Sequence, residues 1–223
     1  RFYDNANILL QSEYRQVNRT SNHIFDVSIL NDDKFALGTK DIKGHFFSNS
    51  NYIFDFDNFD DATLEINLQQ SSDKDYLKSH NVKSKLLNSN QTLNSYLNFE
   101  AIREDLYISS SLEVFEKLNN GNSDRFEFIY PNLRIAKKLN LIEEFQGETT
   151  LASNFYQKKY NTNVYEAVII NDLEFSSMPE FKNNGLVNKY NLLFKNVNSK
   201  SKKSTLYNDS INNKLFSVLQ YQT

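Results

Sequence analysis

Apolar and polar side chains alternate along this chain in short runs, separated by stretches rich in Asn, Asp, Ser and Lys. The clearest runs are Leu64-Glu65-Ile66-Asn67-Leu68-Gln69, Leu93 to Ala101, and Leu106 to Val114. Successive side chains of a strand point to opposite faces, so each run carries one apolar and one polar face. The pattern predicts strands at 7–17, 22–31, 42–49, 62–71, 92–102, 105–116, 125–137, 147–157, 163–176, 186–197 and 214–221. Their spacing of roughly 20 residues predicts an antiparallel up-and-down array. Most are close to the ~9–11 residues with which a tilted strand crosses a bilayer. The fold expected is therefore all-β: a transmembrane β-barrel segment, a partial barrel of about 10–12 strands. One domain is expected over residues 1–223.

The connectors differ in length. Residues 17–21 and the pair Arg103-Glu104 read as tight turns, whereas 70–91, 197–213 and 31–41 read as long polar loops. Outer-membrane barrels pair short turns at one rim with longer loops at the other. Pro131, inside the run Phe126 to Leu133, predicts a bulge, bend or strand end, because it removes a ladder donor. Pro179 reads as loop, and Tyr76 to Leu87 as a short amphipathic turn within a loop. With 5 Gly and 2 Pro in the chain, Asn and Asp are expected at the turn positions.

Composition sharpens this picture. Hydrophobic residues make up 39% of the 223, and mean hydropathy is −0.62, too low for a transmembrane helix. A membrane barrel escapes that test, because only alternate residues meet lipid. The 18 Phe and 13 Tyr suit both aromatic girdles and ordinary strand propensity. A net charge of −3, with acidic and basic residues mixed, gives no nucleic-acid footprint. With no Cys, disulfides and thiolate chemistry are excluded within this stretch. The chain starts at Arg1 and stops inside an alternating run at Thr223, which reads as an internal fragment.

Candidate chemistry is sparse. His23, His45 and His80 stand apart without metal-ligand spacing and read as polar lumen or interface histidines. Asp26 follows His23 by three residues and Asp41 precedes His45 by four. A hydrolase would need a serine beside a histidine in space, and no Gly-x-Ser-x-Gly elbow occurs. The acidic stretch Asp55 to Asp61 reads as a solvated loop and not a calcium site. Lys200-Ser201-Lys202-Lys203 reads as a solvated loop able to meet anionic headgroups. No catalytic residue, metal or cofactor is assigned. If the apolar faces meet lipid, the inward wall includes Glu65, Asn67, Gln69, Asn94, Tyr96, Asn98, Glu100, Tyr107, Ser109, Ser111 and Glu113.

Several segments, in order, resemble one family. They are Leu10 to Arg15, Ser21 to Ser28, Gly44-His45-Phe46-Phe47, and Leu64-Glu65-Ile66 followed by Ser72-Asp73-Lys74-Asp75-Tyr76-Leu77-Lys78. Tyr130-Pro131, Val168 to Leu173 and Leu193 to Ser199 continue the series. The set resembles the barrel of the LptD family, the lipopolysaccharide-assembly or organic solvent tolerance proteins, in its alphaproteobacterial form. That resemblance implies a lipid-facing barrel of roughly 26 strands, of which this chain supplies somewhat under half. It implies location in the outer membrane of a Gram-negative bacterium and passage of lipopolysaccharide to the outer leaflet. The implied partners are lipopolysaccharide, outer-membrane lipid, an LptE-like plug lipoprotein and an LptA-like periplasmic bridge. The family's N-terminal jellyroll, closing strands, lateral gate and cysteines have no counterpart in these residues. The alternatives are another outer-membrane barrel (porin or receptor), an outer-membrane lipase, or a soluble extracellular β-rich adhesin.

Overall fold

The computed structural model describes residues 8–34, 39–119, 124–139 and 146–222. It is nearly all antiparallel β, with 71% of residues in strands and 2% in helix. The strands are β1 (Leu9–Val17), β2 (Ser21–Lys34), β3 (Thr39–Phe54), β4 (Asp61–Ser71), β5 (Thr92–Arg103) and β6 (Leu106–Lys117). They continue as β7 (Phe126–Leu139), β8 (Gly147–Tyr160), β9 (Tyr165–Ser177), β10 (Glu180–Phe181), β11 (Val187–Lys202) and β12 (Asn212–Gln222). Among the described residues one short helix, α1 (Tyr76–Ser79), lies between β4 and β5. From β1 to β9 neighbours in sequence are neighbours in a 12-stranded sheet that does not close, and β11 then pairs with β9, β10 and β12. β10 is a two-residue strand that pairs with the start of β11 beyond the end of β9.

Every segment predicted from the alternation is a strand. The connectors differ from expectation where polar residues sit on both faces. β2 runs to Lys34 and β3 starts at Thr39, with Asp32 pairing Asp41, so the expected 31–41 loop shrinks to 35–38, outside the described residues. β11 runs to Lys202 and pairs with β9 as far as Tyr165, so the 197–213 loop shrinks to 203–211. Backbone ladders extend there without the apolar alternation that marks a strand in sequence. β7 does not end at Pro131; it continues to Leu139 across a cis Tyr130–Pro131 bond. Turn positions with positive φ are taken by Asn81, Asp124 and Asn163, whose short polar side chains tolerate that region, and also by Gly185 and Lys203.

Two compact units divide the residues. The first comprises 1–54, 63–98 and 113–128. Here register pairs build rows: Leu9, Leu30 and Lys43 form one, Gln11, Ser28 and His45 the next, and Glu13, Asp26 and Phe47 the third. The loop 72–91 folds onto this face. Its Tyr76, Leu77 and Val82 pack with Leu9, Leu30, Phe47, Leu93 and Leu118 into the buried core cluster. Gly44 anchors the loop, accepting from Ser72 N–H at 2.9 Å and donating to Ser72 Oγ at 2.8 Å. A side chain at Gly44 would stand 2.2 Å from the Ser28 carbonyl oxygen, which is why the strand needs glycine there. The opposite face carries Leu10, Ile29 and Phe46, all exposed, and ends in His23, Phe25, Tyr14 and Tyr52.

The second unit comprises 55–62, 99–112 and 129–223. On one face of β8, β9 and β11 lie Tyr156, Val168 and Ser199, then Asn154, Ile170 and Val197, then Ala152, Asp172 and Lys195. The loop 203–211 covers the end of this face: Ser201 Oγ donates to the Tyr207 and Asn208 carbonyls, and Ser204 Oγ donates to Glu166. The other face carries exposed Leu151, Ile169 and Phe194.

Candidate functional site

All eleven residues assigned to the inward wall lie in β4, β5 and β6, and each is buried or half-buried. Of their apolar neighbours in sequence, Leu68 at 46%, Leu97 at 38% and Leu112 at 46% are exposed, whereas Leu93 and Ala101 are buried. Leu64, Ile66, Phe99 and Ile108 are half-exposed. In the first unit Tyr96 donates to Glu65 at 2.7 Å, and Asn49 Nδ2 donates to the same carboxylate at 2.8 Å. Asn67 Nδ2 donates to the Asn94 carbonyl at 2.7 Å. Gln69 donates to the Leu86 carbonyl at 2.6 Å and accepts from Asn94 N–H at 2.9 Å, tying β4, β5 and the folded-in loop together. Asn98 and Glu113 belong to the same unit. In the second unit lie Glu100, Tyr107, Ser109 and Ser111, and Tyr107 OH donates to Glu100 at 3.5 Å.

Asn67, Gln69 and Ser111 are thus more buried than Leu68 and Leu112 beside them. Fully burying a leucine or isoleucine contributes ~1.5–3 kcal/mol, and a buried polar group costs free energy unless it is paired. A chain that exposes Leu10, Ile29, Leu68 and Leu112 while burying Asp26, Asn67, Gln69 and Glu166 forgoes the first term and takes on the second.

One cluster was not foreseen. His45 and Ser28 are register partners, and Ser28 Oγ lies 2.5 Å from His45 Nδ1. His45 Nε2 lies 3.2 Å from Asp26 Oδ1, and Gln11 Nε2 donates to the same oxygen at 3.1 Å. Tyr76 OH from the loop lies 2.6 Å from Ser28 Oγ, and Phe47 stacks on the imidazole at 4.3 Å. Serine, histidine and aspartate stand in hydrogen-bonded order as in a nucleophilic hydrolase, but with the imidazole reversed, Nδ1 toward the serine and Nε2 toward the aspartate. The remaining requirements are not met. Asp26, Ser28 and His45 are each at most 4% exposed, and Tyr76 covers the hydroxyl. Ser28 also sits inside a strand paired on both sides, with Gln11 and with His45, which commits its backbone to the sheet and leaves no oxyanion hole beside it. What the arrangement does is fasten the loop: Gln11 also donates to the Lys83 carbonyl at 3.0 Å. The sequence spacings pointed elsewhere. His23 meets Ser50 and Ser21 and not Asp26, and the Asp41 side chain lies outside the described residues. Only cross-strand register brings Asp26 to His45.

Other sequence candidates stay apart. Asp55, Phe56, Asp57 and Asn58 form an exposed turn between β3 and β4, and no group of three acidic or imidazole ligands gathers among the described residues. No described helix is long and apolar enough to cross a membrane. Lys200 and Lys202 belong to β11 and not to a loop. No protein-family model and no curated protein matches the chain.

Proposed function

We propose that this chain is wall and loops of an outer-membrane β-barrel that passes lipopolysaccharide to the outer leaflet, with no catalytic step of its own. The observation that carries the membrane part is the inverted burial: alternate apolar residues exposed on strands whose polar residues are covered. In a bilayer the exposed leucines and isoleucines are solvated by acyl chains, while the polar face meets water and sugar. The ordered family-like segments between Leu10 and Ser199 carry the lipopolysaccharide part. An amphipathic cargo suits such a wall, because its sugars travel along hydrogen-bonding groups and its acyl chains leave into lipid. The polar residues of β4 to β6 offer carboxylates, amides and hydroxyls of the kind that sugars bind. The Ser28–His45–Asp26 set is an anchor for the loop in this reading, which makes a lipase the weaker alternative.

Photo-crosslinking amino acids placed at Tyr96 and Ser109 of the protein in living cells test it. Adducts with lipopolysaccharide at these positions, and phospholipid adducts alone at Leu97 and Leu112, are expected. A porin or receptor gives no lipopolysaccharide adduct at Tyr96 or Ser109, and that outcome contradicts the proposal.

A further inference from the structure

Register gathers three lysines from distant parts of the chain at one end of one face of the second unit. Lys159, Tyr165 and Lys202 pair directly across β8, β9 and β11, so their side chains share a face. Gln157, Ala167 and Lys200 form the next row on that face. All three lysines are exposed. The ion pairs described in this unit, Arg103–Asp105, Lys138–Glu148, Lys182–Glu180 and Lys195–Asp172, involve none of them. Glu166 stands in the row of Lys158 and Ser201 on the opposite face, held by Ser204. Tyr165 OH reaches Gln157 Oε1 at 3.4 Å, inside the same patch.

Toward the middle of the strands this face turns apolar. Phe155 and Ile169 come first, beside Asn198, then Leu151, Leu173 and Phe194, then Phe175 and Leu192, beside Thr149. A polar row, Ser153, Asn171 and Asn196, interrupts the band, and Ser153 Oγ donates to Asn171 Oδ1 at 2.7 Å. At the far end Tyr190 and Tyr221 stack at 5.0 Å. From the Tyr165 row to the Ser177 row the strand covers ~40 Å, at about 3.4 Å per residue. A tilt of about 40° shortens that to ~30 Å, the hydrocarbon thickness of a bilayer. The lysines thus stand where an apolar band meets water. Lys159 and Lys202 are separated by one strand, about 10 Å, and their flexible stems can converge over Tyr165.

We infer that Lys159, Lys200 and Lys202, with Tyr165, form a docking site for the phosphate headgroup of a membrane lipid. Charge complementarity selects this occupant: three cations with no carboxylate from β8, β9 or β11 in their rows, above a face with rows of apolar side chains. A protein partner would have to cover the apolar band as well. The inference rests on the membrane reading above.

The chain has no Trp, so Phe155→Trp, one row below the lysines, provides a single reporter. The protein is inserted into phosphatidylcholine vesicles containing phosphatidylglycerol, with a bromine quencher on the acyl chains of one lipid or the other. Quenching at position 155 is expected to show a preference for the anionic lipid of about fivefold or more. A Tyr190→Trp reporter at the far end is expected to show none. Changing Lys159, Lys200 and Lys202 together to Gln is expected to abolish the preference, and changing them to Arg to keep it. Equal quenching by both lipids, or a preference that survives the Gln changes, overturns the inference alone. So does loss of the preference to inorganic phosphate at matched ionic strength, which identifies a free-phosphate site. No quenching by either lipid overturns the membrane reading together with it.

Discussion

At the scale of single residues, the unusual investment is in polar groups that are buried and almost completely paired. Asp26 accepts from Gln11 and His45, and Ser28 bridges His45 to Tyr76 on the loop. Removing one partner leaves the others desolvated without a bond, which costs more than the bond itself contributed. Asp26→Ala should therefore destabilise the protein by about 2–3 kcal/mol. The urea midpoint of protein refolded in detergent reads this, and an unchanged midpoint contradicts the anchoring role. None of it was legible beforehand. His45 and Asp26 are on different strands, and spacing along the chain suggested Asp41 for His45 and Asp26 for His23. Strand periodicity gives the face of a side chain, whereas its neighbour across the ladder depends on a register that local pattern does not encode.

Elements were more readable than contacts. The leucines, isoleucines and aromatics of β4, β5 and β6 alternate with Asn, Ser and Glu, and that period of two is the strand signal itself. The ends of β2 and β11 were missed because Asn31 to Lys34 and Asn198 to Lys202 are polar throughout, so the apolar alternation that marks a strand in sequence is absent there. The tight turn expected at Arg103-Glu104 forms one residue later, at Glu104-Asp105, closing β5 onto β6. There Arg103 Nε donates to Asp105 Oδ1 at 2.6 Å, and that hydrogen bond, ahead of the guanidinium charge, holds the Asp105 carboxyl below its ordinary range. A depressed carboxylate stabilises the fold fully above its unfolded-state pKa, and that contribution is lost as pH falls through the lowered folded-state value. The group is solvent-exposed, so salt should weaken the effect. In Arg103→Gln the Asp105 titration, followed by the carboxyl carbon resonance, should move up toward the usual aspartate value. A titration that stays where it is contradicts control by Arg103.

For the molecule as a whole, the sheet buries a small apolar core beside paired polar groups and leaves rows of apolar side chains exposed, and function follows from which medium lies against those rows. If it is lipid, β4 to β6 are wall and the folded-in loop 72–91 narrows what passes beside them. If it is protein, the same faces are an uncovered core. The chain has no Cys, so single cysteines for spin labels can be placed without background. The most direct test labels Asn67→Cys, Leu68→Cys, Gln69→Cys, Leu97→Cys, Asn98→Cys, Ser111→Cys and Leu112→Cys one at a time in the bilayer-inserted protein. The account predicts that positions 68, 97 and 112 collide with oxygen dissolved in the bilayer and are shielded from a water-soluble nickel complex. Positions 67, 69, 98 and 111 should show weaker oxygen collision throughout. Labels at 68, 97 and 112 that are shielded from both reagents, or that meet only the nickel complex, contradict it.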